Sequence, residues 1–110
     1  MSNQSRCCPP LRRRPLTAPE AVESARVFKA LGDPVRLRLL SLVASHEGGE
    51  ACVCDLHAAF DQTQATISHH LKVLHSAGVL DRDKRGVWVW YAVRREALAA
   101  VAGLFDPVLA

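Results

Sequence analysis

The sequence predicts a mainly helical domain that contains one β-hairpin, with the element order α-α-α-α-β-β-α. Two observations carry this prediction. Apolar residues recur every three or four positions through most of the chain, which is typical of helices. Near residue 80 the period changes to two, which is typical of strands, before a last helical pattern returns. The chain has 110 residues, 49% hydrophobic and 23% charged, so we expect one folded domain.

Two helices are predicted in the first half of this domain. The first spans about residues 20–31 and ends at Gly32. Asp33 and Pro34 then open the second helix, as its N-cap and its first-turn proline. The apolar stripe expected to pack the first helix consists of Val22, Ala25, Phe28 and Leu31.

The next two helices are separated by a short turn, which predicts a helix-turn-helix. The third helix is expected over about residues 51–60. The fourth is expected from Gln64 to about Ala77, with Thr63 as its N-cap and Gly78 as its stop. Its apolar positions are Ile67, Leu71 and Leu74.

A hairpin and a last helix complete the order. Val79, Leu80 and residues 87–93 read as strands, joined by a turn at residues 83–86. The last helix is expected over about residues 95–105. A helix-turn-helix followed by a hairpin is the winged helix-turn-helix plan, in which the hairpin is the wing.

The fourth helix has the side chains that a DNA-reading helix needs. Small and polar groups at its start suit a major groove, since Gln pairs with adenine edges and Ser or Thr contacts bases or phosphates. The net charge of +3 permits such binding. An ordinary amphipathic surface helix is the alternative. The candidate DNA-binding residues are Gln62, Thr63, Gln64, Thr66, Ser68, His69 and Lys72, with Lys84 and Arg85 on the wing.

Residues 1–19 form a separate zone, which we interpret as a flexible arm preceding a domain of residues 20–110. Four prolines forbid a continuous helix there, and three consecutive arginines keep it solvated. The sequence shows no membrane-spanning or signal segment, so we expect a cytoplasmic protein whose thiols stay reduced. This arm carries Cys7 and Cys8.

The four cysteines are candidate metal ligands. Cys7 and Cys8 are adjacent, and Cys52 and Cys54 lie two apart. On a regular helix Cys52 and Cys54 would point about 160° apart, so either the first turn is frayed or one of them is a packed thiol. Three thiolates suit arsenic(III) or antimony(III), and four suit cadmium, lead or zinc. Incidental cysteines are the remaining alternative.

The chain resembles the ArsR/SmtB family of metal-responsive winged-helix repressors. The resemblance runs over about residues 21–97 and is most specific in four segments. These are FKALGDPVRLRLLSLV (residues 28–43), ACVCDL (residues 51–56), QTQATISHHLKVLHSAGVL (residues 62–80) and RGVWVWY (residues 85–91). The family implies a homodimer, built mainly from the first and last helices, that binds palindromic operator DNA and releases it on binding metal.

The resemblance also bears on the inducer. Some arsenic sensors of the family have a third cysteine where this chain has His57. Others combine an adjacent N-terminal pair, as Cys7 and Cys8 would be, with a cysteine of the third helix. Cadmium and lead sensors space their arm cysteines apart.

We therefore expect a repressor that arsenite or antimonite releases from DNA through Cys7, Cys8 and Cys52 or Cys54. Three alternatives remain open: a cadmium-, lead- or zinc-responsive repressor, a thiol redox regulator, and a metal-trafficking protein that does not bind DNA. We expect no enzyme, no membrane partner and no organic substrate, because no nucleophile–base or phosphate-loop pattern is present.

Overall fold

The computed structural model describes residues 14–104. Along the chain the helices and strands are α1 (Ala18–Leu31), α2 (Pro34–Ser45), β1 (Glu50–Cys52), α3 (Val53–His57), α4 (Gln64–Ser76), β2 (Leu80–Arg85), β3 (Trp88–Val93) and α5 (Arg95–Ala102). A short 3-10 turn, Glu47–Gly49, precedes β1. The predicted winged helix-turn-helix is confirmed, with α3 and α4 as the helix pair and β2–β3 as the wing.

Helix α1 begins at Ala18, two residues earlier than predicted. The backbone N–H of Thr17 donates to Glu20 Oε1 at 2.9 Å, and the N–H of Glu20 donates to Thr17 Oγ1 at 3.3 Å. This reciprocal capping box satisfies two N–H groups at the helix start. Pro19 fits in the first turn, where its missing N–H costs nothing. The predicted arm of residues 1–19 therefore overlaps α1 by two residues.

The packing face of α1 differs from the predicted stripe. The helix buries Val27 and Ala30, whereas Val22 is 59% exposed and Phe28 is 42% exposed. A repeat of three residues falls about 60° short of a full turn each time, so the predicted stripe winds off one face. The largest fully buried side chains are Leu39, Val43, Leu56, Ile67, Leu71, Leu74, Val79 and Leu80.

The sheet contains a strand that the sequence analysis did not predict. Its order is β1-β3-β2, all antiparallel, with Cys52 opposite Trp90. The prediction of helix from residue 51 is wrong at Ala51 and Cys52, because β1 pairs with the free edge of β3. This long-range pairing overrides the local helical pattern. Helix α3 consequently begins at Val53.

The wing is longer than predicted. Strand β2 continues through Arg85, which pairs with Trp88 across the ladder. The predicted turn at residues 83–86 is wrong for all but its last residue: the reversal lies at Gly86 and Val87. Gly86 has a φ of +64°, a conformation that glycine adopts without strain. Val87 is 85% exposed at the tip. In the described part of the chain, no helix is long and apolar enough to span a membrane.

Candidate nucleic-acid interface and thiol pair

Helix α4 is fixed at its start by its own cap. Thr63 Oγ1 accepts from the backbone N–H of Thr66 at 3.1 Å and lies 2.9 Å from Thr66 Oγ1, to which it donates. The predicted cap is confirmed. The hydroxyl of Thr63 is thus used inside the protein, and the hydrogen of the Thr66 hydroxyl stays available to an outside acceptor.

The buried side of α4 holds Ile67, Leu71 and Leu74, all at 0% exposure. A further contact ties the helix to α2, because Arg36 Nη1 donates to His70 Nδ1 at 3.2 Å. The opposite side is open to solvent. Of the candidate DNA-binding residues on and just before this helix, Gln62, Thr63, Gln64, Thr66, His69 and Lys72 are exposed, and Ser68 is half-buried.

The two wing cations differ in their surroundings. Lys84 is exposed, and among the described residues no carboxylate pairs with it. Arg85 donates to both oxygens of Glu50 at 3.0 and 2.8 Å, and its Nε donates to Asp83 at 3.0 Å. Its guanidinium also lies 4.7 Å from the ring centroid of Trp90. Arg85 therefore braces the wing against β1.

This brace perturbs both partners in the same sense. Hydrogen bonds from Arg85 hold the pKa of Glu50 below its ordinary value. Hydrogen bonds to Glu50 and then Asp83 raise the pKa of Arg85. Both shifts favour the charged forms, as expected of an opposite-charge pair. The sequence gave no signal for the pair, because its members are 35 residues apart.

The structure brings Cys52 and Cys54 together. Cys52 ends β1 and caps α3, and its Sγ accepts from the backbone N–H of Cys54 at 3.4 Å. Cys52 is buried at 5% exposure, whereas Cys54 is exposed. The pKa of Cys54 is raised, first by a hydrogen bond with the Cys52 side chain and further by burial and by the charge of Asp55. Because Cys52 lies outside the helix, the angular separation expected of a regular helix does not apply.

The thiol pair opens into a cleft that it shares with both DNA-reading elements. This thiol–wing cleft has a volume of about 300 Å³. Helix α4 lines one wall and the wing lines the other. The lining residues are Cys52, Val53, Cys54, Gln64, Ser68, Lys72, Arg82, Val87, Trp88, Val89 and Tyr91. Occupation of this cleft can therefore act directly on α4 and on the wing.

The rest of the predicted metal site is only partly described. Within residues 14–104, no group of three His, Cys, Asp or Glu side chains is placed to hold a metal ion. Cys7 and Cys8 lie outside the described residues. His57 lies on α3, and its Nε2–H donates to the carbonyl oxygen of Gln62 at 2.8 Å, which leaves only Nδ1 for a ligand.

Comparison with known proteins identifies what this chain is similar to. Residues 33–82 match the family model described as "Bacterial regulatory protein, arsR family". The uncharacterized HTH-type transcriptional regulator MJ1325 of Methanocaldococcus jannaschii is 39% identical over 76% of this chain and 92% of its own length. The arsenical resistance operon repressor of Escherichia coli is 42% identical over 74% of this chain and 68% of its own.

A cadmium relative and two solved structures extend the comparison. A homolog of the cadmium resistance regulator CadC from Staphylococcus aureus is 37% identical over 76% of this chain and 68% of its own. A possible transcriptional regulator for arsenical resistance superposes with a TM-score of 0.65 at 33% identity, covering 77% of this chain and 84% of its own. The homodimeric winged helix-turn-helix domain Mb0332 of Mycobacterium bovis has a TM-score of 0.65 at 27% identity, covering 87% and 89%.

Proposed function

The chain belongs to the ArsR family of metal-responsive transcriptional repressors, and from that premise we propose that it is an arsenite- or antimonite-responsive repressor that binds operator DNA as a homodimer. The observation that carries this proposal is the placement of two thiols in the thiol–wing cleft, beside the helix and the hairpin that would read DNA. Members of this family are regulators rather than enzymes. As a regulator of transcription, the protein would act in the cytoplasm, where the DNA lies.

The DNA-binding part of the proposal rests on the exposed side of α4. Gln64, Thr66 and His69 lie there in solvent, while the opposite side is locked into the core. A helix held this rigidly can present the same side chains to each operator. We assign base contacts to Gln64 and Thr66 and phosphate contacts to His69, Lys72 and Lys84. Gln62 and Ser68 complete the surface at its edges.

The inducer part rests on sulfur chemistry. Cys52 and Cys54 supply two neighbouring thiols, and Cys7 and Cys8 are the other cysteines of the chain. We propose that Cys7 and Cys8, with Cys52 or Cys54, hold the ion. A set of three thiolates suits arsenic(III) and antimony(III), which bind three ligands in a pyramid.

The coupling part follows from what the cleft touches. Gln64 and Lys72 of α4 and Trp88 of β3 line the same cavity as the thiols. Drawing the arm onto Cys54 would change the contents of that cavity, and with them the positions of α4 and the wing. A coupling free energy of about 1–3 kcal/mol would weaken operator binding by about 5–150-fold.

The dimer part rests on exposed apolar surface and on a relative. Val22 and Phe28 of α1 are 59% and 42% exposed, more than core side chains of a monomer need to be. A cleft between α1 and α5, near Pro19 and Ala100, adjoins this surface. The similar domain Mb0332 is described as homodimeric. We propose that α1 and α5 pair with their counterparts in a second subunit.

A cadmium-, lead- or zinc-responsive repressor is the second candidate, and a specific observation favours it. The cadmium resistance regulator from Staphylococcus aureus matches as long a stretch of this chain as the arsenical repressors do. Both Cys52 and Cys54 would then serve with Cys7 and Cys8 as four ligands. A thiol redox regulator, with a disulfide between the arm and Cys54, is the third.

Counting sulfur neighbours around the bound ion separates these candidates. X-ray absorption at the arsenic edge should find three sulfurs in the reduced full-length protein loaded with arsenite. The Cys7→Ser and Cys8→Ser variants should each lower that number. Three sulfurs at arsenic but four at a more tightly bound cadmium ion would favour the second candidate. A loaded protein with no arsenic–sulfur neighbours would overturn the arsenite proposal.

A further inference from the structure

A second groove flanks α4 on the side away from the thiol–wing cleft. It runs between α1 and α4 and has a volume of about 520 Å³. Its polar lining is almost wholly basic: Arg26 and Lys29 come from α1, Arg36 from α2, and His69 and Lys72 from α4. No Asp or Glu lines it. We call it the cationic groove.

The charges in this groove are largely uncompensated. Within the described part of the chain, neither Lys29 nor Lys72 pairs with a carboxylate. Arg26 lies 3.6 Å from Glu23, and both side chains are more than half exposed, so the pair is weak. An open groove with several cations and no acid attracts a polyanion.

Arg36 is a fixed member of the set. Its Nε donates to the carbonyl oxygen of Ala30 at 2.6 Å, and its Nη1 donates to His70. Asp33 lies close by and accepts from the backbone N–H of Arg36 at 3.1 Å. Arg36 therefore holds α1, α2 and α4 in one arrangement, which fixes the spacing between Lys29 and Lys72.

The position of the groove points to DNA. Lys72 lines both the cationic groove and the thiol–wing cleft, so the two depressions border the exposed face of α4 on opposite sides. A helix in a major groove about 12 Å wide has a sugar–phosphate backbone along each flank. The wing lies on one flank. The cationic groove lies where the second backbone would run.

We propose that the cationic groove receives the DNA backbone on the side opposite the wing, with Lys29 and Arg26 of α1 in contact with phosphates. This inference rests on the proposed DNA-binding function. It adds a helix outside the helix-turn-helix and the wing to the DNA interface. Contacts of this kind raise affinity for every sequence and carry no sequence preference.

The test is the salt dependence of DNA binding by the full-length reduced protein. Fluorescence anisotropy would give the Kd for a labelled duplex from upstream of its gene and for a random-sequence duplex of equal length. Each phosphate contact contributes about 0.9 to the slope of log K against log salt. We expect Lys29→Gln to lower that slope by about 0.9 and the Arg26→Gln, Lys29→Gln double variant by about 1.8.

Two control variants keep the test specific. Lys29→Arg keeps the charge and should keep the slope of the unsubstituted protein. Arg95→Gln makes the same charge change at an exposed position on α5, away from the groove, and should leave the slope unchanged. A slope unaffected by Lys29→Gln, or equal losses with Lys29→Arg and with Lys29→Gln, would overturn the inference while leaving DNA binding intact.

A further arm distinguishes DNA from a free anion. Inorganic phosphate that replaces chloride at equal ionic strength should not weaken binding further. A phosphate-specific loss that Lys29→Gln removes would assign the groove to a small anion and overturn the inference. An unsubstituted protein that binds neither duplex would overturn the proposed function as well.

Discussion

The two flanks of α4 differ in chemistry although they border the same helix. One flank, the thiol–wing cleft, carries Cys52, Cys54 and the aromatic ring of Trp88. The other flank, the cationic groove, carries Lys29 and other basic side chains but no sulfur. The difference teaches that groups suited to sensing a soft ion and groups suited to holding phosphates are separated by the width of one helix. Substitutions on the two flanks should therefore change different properties.

The largest effect is expected on the thiol flank. Cys54→Ser should abolish release by arsenite, removing a change in operator affinity of about 5–150-fold. DNA affinity without arsenite should stay near that of the unsubstituted protein, because Cys54 is an exposed residue of a short helix. Anisotropy with and without arsenite measures both quantities.

The matched comparison is Lys29→Gln on the other flank. It should weaken DNA binding with and without arsenite by the same factor, so that the induction ratio is unchanged. Normal induction of Cys54→Ser, or a lost induction ratio in Lys29→Gln, would show that the flanks do not have separate roles.

The next effect concerns sequence reading at the border of the thiol flank. Gln64→Ala should lower the preference for operator over random DNA by about 1–3 kcal/mol, as expected for the loss of a bidentate base contact. Lys72→Gln, at the other border, should weaken both duplexes alike because it removes only a phosphate contact. Competition between the two duplexes gives the ratio. An unchanged ratio in Gln64→Ala would remove that residue from base reading.

A smaller effect concerns pH and distinguishes the two inducers at the thiol flank. The pKa of Cys54 is raised, chiefly by its hydrogen bond with Cys52, so this thiol keeps its proton at neutral pH. A protonated thiol that replaces a hydroxyl of arsenous acid releases water and no net proton. A thiol that binds a cadmium ion releases its proton, so cadmium affinity should rise with pH.

Titrations between about pH 6 and 8 check this. Arsenite affinity should be nearly flat, and cadmium affinity should rise about tenfold per pH unit for each proton released. An arsenite affinity that rises as steeply as that of cadmium would contradict a site of protonated thiols.

The smallest effect is expected at the wing brace. Glu50→Gln should loosen Arg85 from β1 and leave its guanidinium available to a phosphate, since the carboxylate supplies two of its hydrogen bonds. The salt slope should increase by up to about 0.9, with a modest gain in affinity for any sequence. Glu47→Gln makes the same charge change three residues away at an exposed position and serves as the control. Equal slopes in the two variants would show that the brace does not restrain DNA binding.

The parts of the molecule that sequence analysis anticipated are those that local pattern determines. The cap of α4 at Thr63, its apolar stripe and the wing follow from spacing within about twenty residues. The features it missed are long-range. Strand β1 exists because β3 has a free edge, and through it Cys52 comes beside Cys54 rather than on the far side of a helix.

The same distinction applies to the flanks of α4. The basic lining of the cationic groove comes from three helices, and only their packing shows that Lys29 and Lys72 share one surface. The bond between Arg85 and Glu50 likewise joins residues far apart in the chain. No spacing rule predicts such pairs, because they depend on how finished elements pack.

The central claim is that soft-ion binding at the thiol flank releases DNA from α4. Its most direct test is the anisotropy of labelled upstream DNA bound to the reduced full-length protein, titrated at fixed salt with arsenite and separately with cadmium. The account predicts release by arsenite at lower concentration than by cadmium, and no release by arsenite from the Cys54→Ser variant. DNA binding that ignores both ions would contradict it.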